Sequence, residues 1–359
     1  MSTSLPILTT SRQSAARRCQ REHHYSYGLG YRPAVDAEPL RFGGLMHLGL
    51  DAWWKAVGGQ QTLAGDTTPL DFAIGAMQGE ADPFDRVRAE ALMVGYDARW
   101  TDAAELYEVL AVEERFEAPL VNPETGAPSR TWILGGKIDA IVREKSTGRV
   151  LVVEHKTASS DITPGSDYWK RLRIDGQIST YFAGAAALGH DPQACIYDVI
   201  AKPAQRPSQI PVLDEDGVKI VLDAAGARVR TKDGKKWRES ASSAEGYILQ
   251  TRQETPEEYR ARLLEAIASD PTGYSQRGEV VRLEAELAEA AFDAWQVAKQ
   301  LREAELAGRF PRNPDACVRY GSTCPFFDVC TGTASLEDPE RFRRSEVVNP
   351  ELADQASAA

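Results

Sequence analysis

Apolar and polar positions along this chain follow two periods. Helical spacing dominates residues 11–60 and 84–105, and returns around 170–188, 256–269 and 282–307. Between these stretches lie β-branched, apolar runs that predict strands near 106–118, 131–143, 149–157 and 194–201. Segments rich in Gly, Asp and Pro interrupt the pattern from Gly58 to Pro83, where a short helix is expected inside a loop. A Pro/Gln/Ser stretch from Pro203 to Pro211 opens a more variable region with a hairpin expected on each side of Gly234. The expected organisation is a loose start over 1–10, a single elaborated domain over 11–332, and a polar, mobile tail over 333–359. Within the domain, the core is placed at about 40–205, an insertion at about 206–255, and C-terminal helices with a cysteine segment at 256–332.

The two central strand runs carry chemistry. Trp132–Val142 is apolar around Asp139, and Val150–Thr157 is apolar until it delivers Glu154 and Lys156. Side chains alternate along a strand, so Glu154 and Lys156, two apart, project from one face. The turn at Ser146-Thr147-Gly148 joins the runs as a hairpin, which lets Asp139 reach that face too. Two carboxylates beside a lysine suit a hard divalent cation and an anionic substrate, the pairing that phosphodiester hydrolysis needs. A surface hairpin bearing ordinary charges is the plainer alternative. It fits poorly with so apolar a strand ending in Glu154, and with Gly135-Gly136 leaving room for close approach ahead of Asp139.

These residues resemble the PD-(D/E)XK nuclease superfamily, specifically its RecB-like exonuclease branch. The resemblance implies an α/β restriction-endonuclease-like core, a central mixed β-sheet flanked by helices. It also implies further site residues. Gly44-x-x-His47 is similar to the family's glycine-then-histidine helix, whose histidine completes the metal site. Glu113 is similar to an acid on the strand before the hairpin, although the adjacent Glu114 leaves the choice between them open. Gln177 and Tyr181 match a QxxxY helix beside the active site, and at i, i+4 they share one helix face. By the same resemblance Asp139, Glu154 and the carbonyl of His155 would hold Mg²⁺ or Mn²⁺, and Lys156 would orient water or stabilise the phosphate. Lys202 and the Tyr274-x-x-Arg277 segment resemble markers of phage-type members, without an assigned role.

The cysteines add a second signal. Of five, Cys317, Cys324 and Cys330 cluster near the C-terminal end, Cys19 stands near the N-terminus, and Cys195 lies in an apolar run as an expected core thiol. No secretory leader is apparent and the chain is long enough to fold without staples, so a metal site tying the two ends reads better than disulfides. RecB-like nucleases of the AddB and CRISPR-associated types place a [4Fe–4S] cluster on one cysteine before the core and three after it. The order matches; the first pair here has six intervening residues rather than two. Thiolates also suit a structural Zn²⁺, the alternative.

Composition tempers the picture. A net charge of −11 is unusual for a protein that handles nucleic acid, so contact would have to be local. Arg17 and Arg18 flank Cys19, and Lys235, Lys236 and Trp237 sit in a basic stretch that also contains Arg228, Arg230, Lys232 and Arg238. Basic residues around an aromatic suit a strand-tracking surface, and a solvated hairpin is the equal alternative. No apolar run is long enough to span a membrane, and a reducing, cytoplasmic location is expected. There is no P-loop, so a helicase, or a recombinase or annealing partner, would supply any motor. The expected function is a metal-dependent DNA exonuclease of phage or prophage type. A structure-specific endonuclease, or a DNA-binding scaffold without activity, is the alternative.

Overall fold

The computed structural model describes residues 5–61, 67–319 and 321–353. Residues 1–4, 62–66 and 354–359, which fall within the expected loose start, the Gly58–Pro83 loop and the polar tail, lie outside the described residues. The centre is a six-stranded mixed sheet. Its strands are β1 (Ile7–Leu8), β2 (Tyr107–Val121), β3 (Pro128–Glu144), β4 (Val150–Ala158), β5 (Pro192–Ala201) and β6 (Ser275–Val280). β3 pairs antiparallel with β2 and β4, β4 runs parallel to β5, and β5 runs antiparallel to β6. The main helices are α1 (Thr10–Arg18), α2 (Glu38–Val57), α3 (Pro83–Arg99), α4 (Asp167–Leu172), α5 (Gly176–Ala187), α6 (Pro256–Ser269) and α7 (Glu284–Ala307).

Strand alternation divides the core between the two sheet faces. Ala140, Val142, Leu151, Val153 and Ile196 pack against Met46, Trp53 and Trp54 of α2, Tyr96 of α3 and Leu263 of α6. Ile141, Val152, Tyr197 and Val199 turn the other way, to Ile178, Tyr181 and Phe182 of α5, and Cys195 is buried among them as expected. A third cluster joins Leu8, Trp132 and Leu301, and so seats α7 on the far end of β3.

Three expectations are corrected. The helix expected over 170–188 is two helices, because Asp175 leaves helical geometry to cap α5 by accepting the Gln177 N–H. The start of the chain is not loose through residue 10: Ile7 and Leu8 pair parallel with Ile133 and Leu134, and Leu8 is fully buried. The tail is not free through residue 353 either. Phe342–Arg344 pairs antiparallel with Tyr31–Pro33, and Phe342 stacks on Phe326 at 5.3 Å. Both departures have one cause, since each short segment buries an apolar side chain that its polar surroundings conceal.

Two glycines make room for one ring. A Cβ on Gly136 would lie 2.7 Å from the Phe116 ring, and one on Gly184 would lie 2.6 Å from it. Phe116 thereby locks β2, β3 and α5 together beside the future site. Gly184→Ala should destabilise the protein by roughly 1–2 kcal/mol, since overpacking costs about 1–3 kcal/mol and alanine in a helix returns about 1 kcal/mol. Denaturant midpoints measure this, and adding Phe116→Leu should restore part of the loss. A Gly184→Ala protein as stable as wild type would contradict the ring-in-notch packing.

Candidate active site

The site forms where the sheet forks. β3 keeps β2 along one edge, while its other edge meets β1 at residues 133–134 and β4 only at residues 140–143. Asp139 is the residue just before that β4 pairing begins. Its Oδ2 accepts the backbone N–H of His155 at 2.7 Å, so a side chain takes over where the ladder stops. Glu154, almost fully buried, accepts a hydrogen bond from Lys156 Nζ through Oε1. The same Nζ donates to Gln177 Oε1 at 2.8 Å, and Gln177 Nε2 donates to the Tyr181 hydroxyl at 2.7 Å. The Glu154–Lys156–Gln177–Tyr181 chain thus links β4 to α5, and its members are those expected from sequence.

Glu113 resolves the ambiguity with Glu114. It lies opposite Asp139 in β2, between the Val112–Ala140 and Glu114–Ile138 pairs, with φ 55°. It is the one left-handed non-glycine among the described residues, a conformation that costs on the order of 1–3 kcal/mol. Glu114 remains exposed, whereas Glu113 turns inward and pairs with Lys137. Ligand atoms of His47, Glu113 and Asp139 all fall within 4.8 Å of one another, and His47 Nδ1 is 3.7 Å from Asp139 Oδ1. Glu154 Oε2 is buried without a hydrogen-bond partner. An imidazole and three carboxylates, one of them with an orphaned oxygen, make a hard, anionic donor set that fits Mg²⁺ or Mn²⁺.

The electrostatics agree. Burial first, then the neighbouring Asp139, pushes the Glu113 carboxyl up to about 7. Glu154 is also pushed up to about 7 by burial, with Lys156 pulling the other way. Burial raises Asp139 as well, against the opposing pull of His155. His47 is lowered to about 4 by burial and by His155, which leaves its imidazole neutral and able to ligate. Burial would depress Lys156, but Glu154 outweighs it and keeps the ammonium charged beyond its ordinary range.

Sequence reasoning named Arg277 only as a family marker and missed the buried row it forms behind this cluster. Asp198 of β5 lies between His155 of β4 and Arg277 of β6 in the strand register. Arg277 Nη2 reaches Asp198 at 3.1 Å and the Tyr96 hydroxyl at 2.9 Å, Tyr96 donates to Asp198, and His155 Nδ1 stands 3.5 Å from the same carboxylate. Burial opposes charge on Asp198, but Arg277 and His155 bring it down to about 2. The row fixes the residue whose backbone amide holds Asp139. An aspartate inside the apolar Cys195–Ile200 run was the available signal, because such a charge is tolerated only when paired. Lys137, two before Asp139, was the other.

The cysteines meet. Cys19, at the junction of α1 and the Gln20–His23 turn of helix, lines one small cavity with Cys317, Cys324 and Cys330. Hydrogen bonds onto backbone carbonyls bind the two ends of the chain there: Arg21 N–H to Pro311 O at 3.1 Å, and the Asn313 side-chain Nδ2 to Arg18 O at 2.8 Å. Burial pushes the Cys324 thiol up to about 11 and raises Cys330. Among the described residues, no three of these sulfurs lie within 4.8 Å of one another.

The expected DNA-contacting residues are scattered. Arg17 stands 3.5 Å from Asp293, Arg18 is paired with Glu22, and Lys202 donates to Pro39 O at 3.2 Å on the first turn of α2. Lys235 and Lys236 are exposed on the Gly234 turn. The Trp237 ring already receives Arg228 and Arg230 at 4.3 and 4.1 Å, so its partners come from its own hairpin.

A family model described as PD-(D/E)XK nuclease superfamily matches residues 7–331, nearly the whole chain. No curated protein matches. Among solved structures, one described as "Crystal structure of SSO0001" is similar at 12% identity over 79% of this chain and 85% of that one, with a TM-score of 0.24.

The raised carboxyls set a pH dependence. Their folded values exceed the unfolded ones, so the metal-free protein holds extra protons between about pH 4.5 and 7, and the stability they lend is lost as pH rises through 7. A cation must displace those protons. Mn²⁺ affinity should therefore fall about tenfold per proton displaced for each pH unit below 7, and level off above 8. Free Mn²⁺ counted by electron paramagnetic resonance at pH 6, 7 and 8 tests this. A flat profile would remove Glu113 and Glu154 from the ligand set.

Proposed function

This chain belongs to the PD-(D/E)XK nuclease superfamily, and we propose that within it the protein is a metal-dependent DNA exonuclease of RecB-like, phage or prophage type. The mixed sheet flanked by helices accords with the restriction-endonuclease-like core of that superfamily, whose nucleases use divalent metals and act on nucleic acid. The observation that carries the reading is the convergence of Asp139, Glu154, Lys156 and Gln177 at the sheet fork, with His47 and Glu113 completing the donor set.

His47, Glu113, Asp139, Glu154 and the His155 carbonyl would hold the cation. Bound Mg²⁺ or Mn²⁺ supplies an activated water and neutralises charge on the phosphate. Lys156 stays protonated beside Glu154, so it serves as a fixed cation and donor to the phosphate oxygens rather than as a base. Gln177 holds that ammonium toward the site from one side and Glu154 from the other. Tyr181, its hydroxyl kept protonated by burial, anchors Gln177.

The four-cysteine cavity supports an iron–sulfur cluster as a structural clamp between the chain's ends. Four thiolates also suit a structural Zn²⁺, the alternative occupant of that cavity. No helix is long and apolar enough to cross a membrane among the described residues. A helicase or an annealing recombinase is the kind of partner that would deliver DNA ends.

Two experiments test these readings. With Mg²⁺ or Mn²⁺, wild type should shorten end-labelled linear DNA and spare a covalently closed circle of the same sequence. Lys156→Ala should be slower by roughly 10²–10³-fold, the usual cost of one transition-state donor. Cleavage of the circle by wild type alone would make the enzyme an endonuclease; cleavage by neither protein would withdraw the catalytic reading. Anaerobically purified protein should be brown, with absorbance near 400 nm that Cys324→Ser abolishes. A colourless protein carrying one zinc per chain would replace the cluster with zinc.

A further inference from the structure

A cavity of about 180 Å³ lies between α7 and the first residues of β3, away from the sheet fork. Its strand wall is Ser129 and Thr131, whose hydroxyls stand 3.3 Å apart. Ser129 Oγ accepts the N–H groups of Thr131 and Trp132, each at 3.2 Å, so a side chain fixes this end of the strand. The helix wall is Trp295, Lys299, Arg302 and Glu303. Buried Ala298 also lines it, and its small side chain leaves the space open. Thr131 and Asp139 stand about 27 Å apart along β3, at roughly 3.4 Å per residue. The cavity is thus separate from the carboxylate cluster.

Its chemistry is that of an aromatic wall with cations at the mouth. Trp295, Lys299 and Arg302 follow one another at i, i+4 and i+7 and form one stripe of α7. Trp295 is half-buried against the Leu8–Trp132–Leu301 cluster, whereas Lys299 and Arg302 are exposed. Arg302 also meets Glu305 at 3.4 Å, an exposed pair too weak to withhold its guanidinium from a ligand. Volume decides how much of a ligand enters. Pockets that enclose a whole small molecule hold about 300–1,000 Å³. This one takes a single flat ring system and leaves the remainder at the mouth. Lys299 and Arg302 stand about 6 and 10 Å along the helix from Trp295, at ~1.5 Å per residue, which is the reach of a sugar carrying a phosphate. An indole face accepts any nucleobase. The two hydroxyls can donate or accept at the base edge, and the Glu303 carboxylate can accept from an exocyclic amine.

We propose that this cavity binds one nucleotide unit, with its base against Trp295 and its phosphate on Lys299 and Arg302. The unit is a free mononucleotide or one member of a single strand. The site does not rest on the nuclease reading. Calorimetry on the full chain in EDTA compares deoxyadenosine monophosphate, deoxyadenosine, inorganic phosphate and a short oligodeoxyadenylate. The monophosphate should bind once per chain, roughly tenfold or more tighter than deoxyadenosine or phosphate alone, because stacking and charge act together. Lys299→Glu with Arg302→Glu, both exposed and so harmless to the fold, should weaken it about tenfold or more. Lys235→Glu with Lys236→Glu makes the same charge change on the Gly234 turn and should leave it within about twofold. Irradiating bound 8-azidoadenosine monophosphate should label Trp295 or its neighbours on α7. An oligomer that binds more tightly than the monophosphate, and is lost with the α7 double variant, assigns the site to a single strand. An oligomer that binds no more tightly assigns it to the free nucleotide. Absence of saturable binding, phosphate binding as tightly as the monophosphate, equal loss in both double variants, or a label elsewhere overturns the site. With no divalent ion present nothing is cut. A chain that passes these tests but never cuts DNA keeps the site and loses only the nuclease reading, and an active nuclease that fails them loses only the site.

Discussion

Three carboxylates crowded into a poorly hydrated space are the constraint around which this protein is arranged. Asp139, Glu113 and Glu154 would repel one another and resist ionisation if nothing opposed them, and two of them do resist it to about pH 7. Each opposing device is visible. Lys137 pairs with Glu113, Lys156 with Glu154, and the His155 amide with Asp139. Behind that amide, Arg277 and Asp198 hold His155 through two further strands. The sheet therefore does more than carry the acids: its order places one cation or donor beside each.

How much of this could be read beforehand depends on distance along the chain. The hairpin of β3 and β4 is local, and its alternation put Asp139, Glu154 and Lys156 together correctly. Gln177 and Tyr181 came from the resemblance to a QxxxY helix, with i, i+4 spacing placing them on one face, and the structure joins them by a hydrogen bond. Glu113 could not be told from Glu114 because the choice depends on a single left-handed residue, which no periodicity encodes. The short strands at Ile7–Leu8 and Phe342–Arg344 were invisible for another reason. Two or three residues carry no period, and each pairs with a partner more than a hundred residues away. The break at Asp175 was legible in principle, since an aspartate before a glycine is a good helix cap. It was overridden by the apolar spacing on either side.

The cysteine region obeys similar logic at the other end of the molecule. Its contacts are hydrogen bonds onto backbone carbonyls of residues about 290 positions away, such as the Arg21 N–H to Pro311 and the Asn313 side chain to Arg18. The apolar support is one small cluster of Tyr31, Phe326 and Phe342, with Tyr25, Leu29, Val329 and Leu336 packed against it. A set of four thiols is well suited to such a joint, because a cross-link supplies the cohesion that a small cluster of rings cannot.

The left-handed backbone at Glu113 bears on timing. That backbone turns the carboxylate inward, toward His47 and Asp139. On the proposed ligand set, a cation would meet this carboxylate already turned toward it, and its loading rate would be governed by how fast the ion sheds water, which is slow for Mg²⁺ and faster for larger, softer-shelled ions. Two cations of equal affinity would thus differ in how quickly they make the same chain competent, with the difference residing in the solvent rather than in the protein.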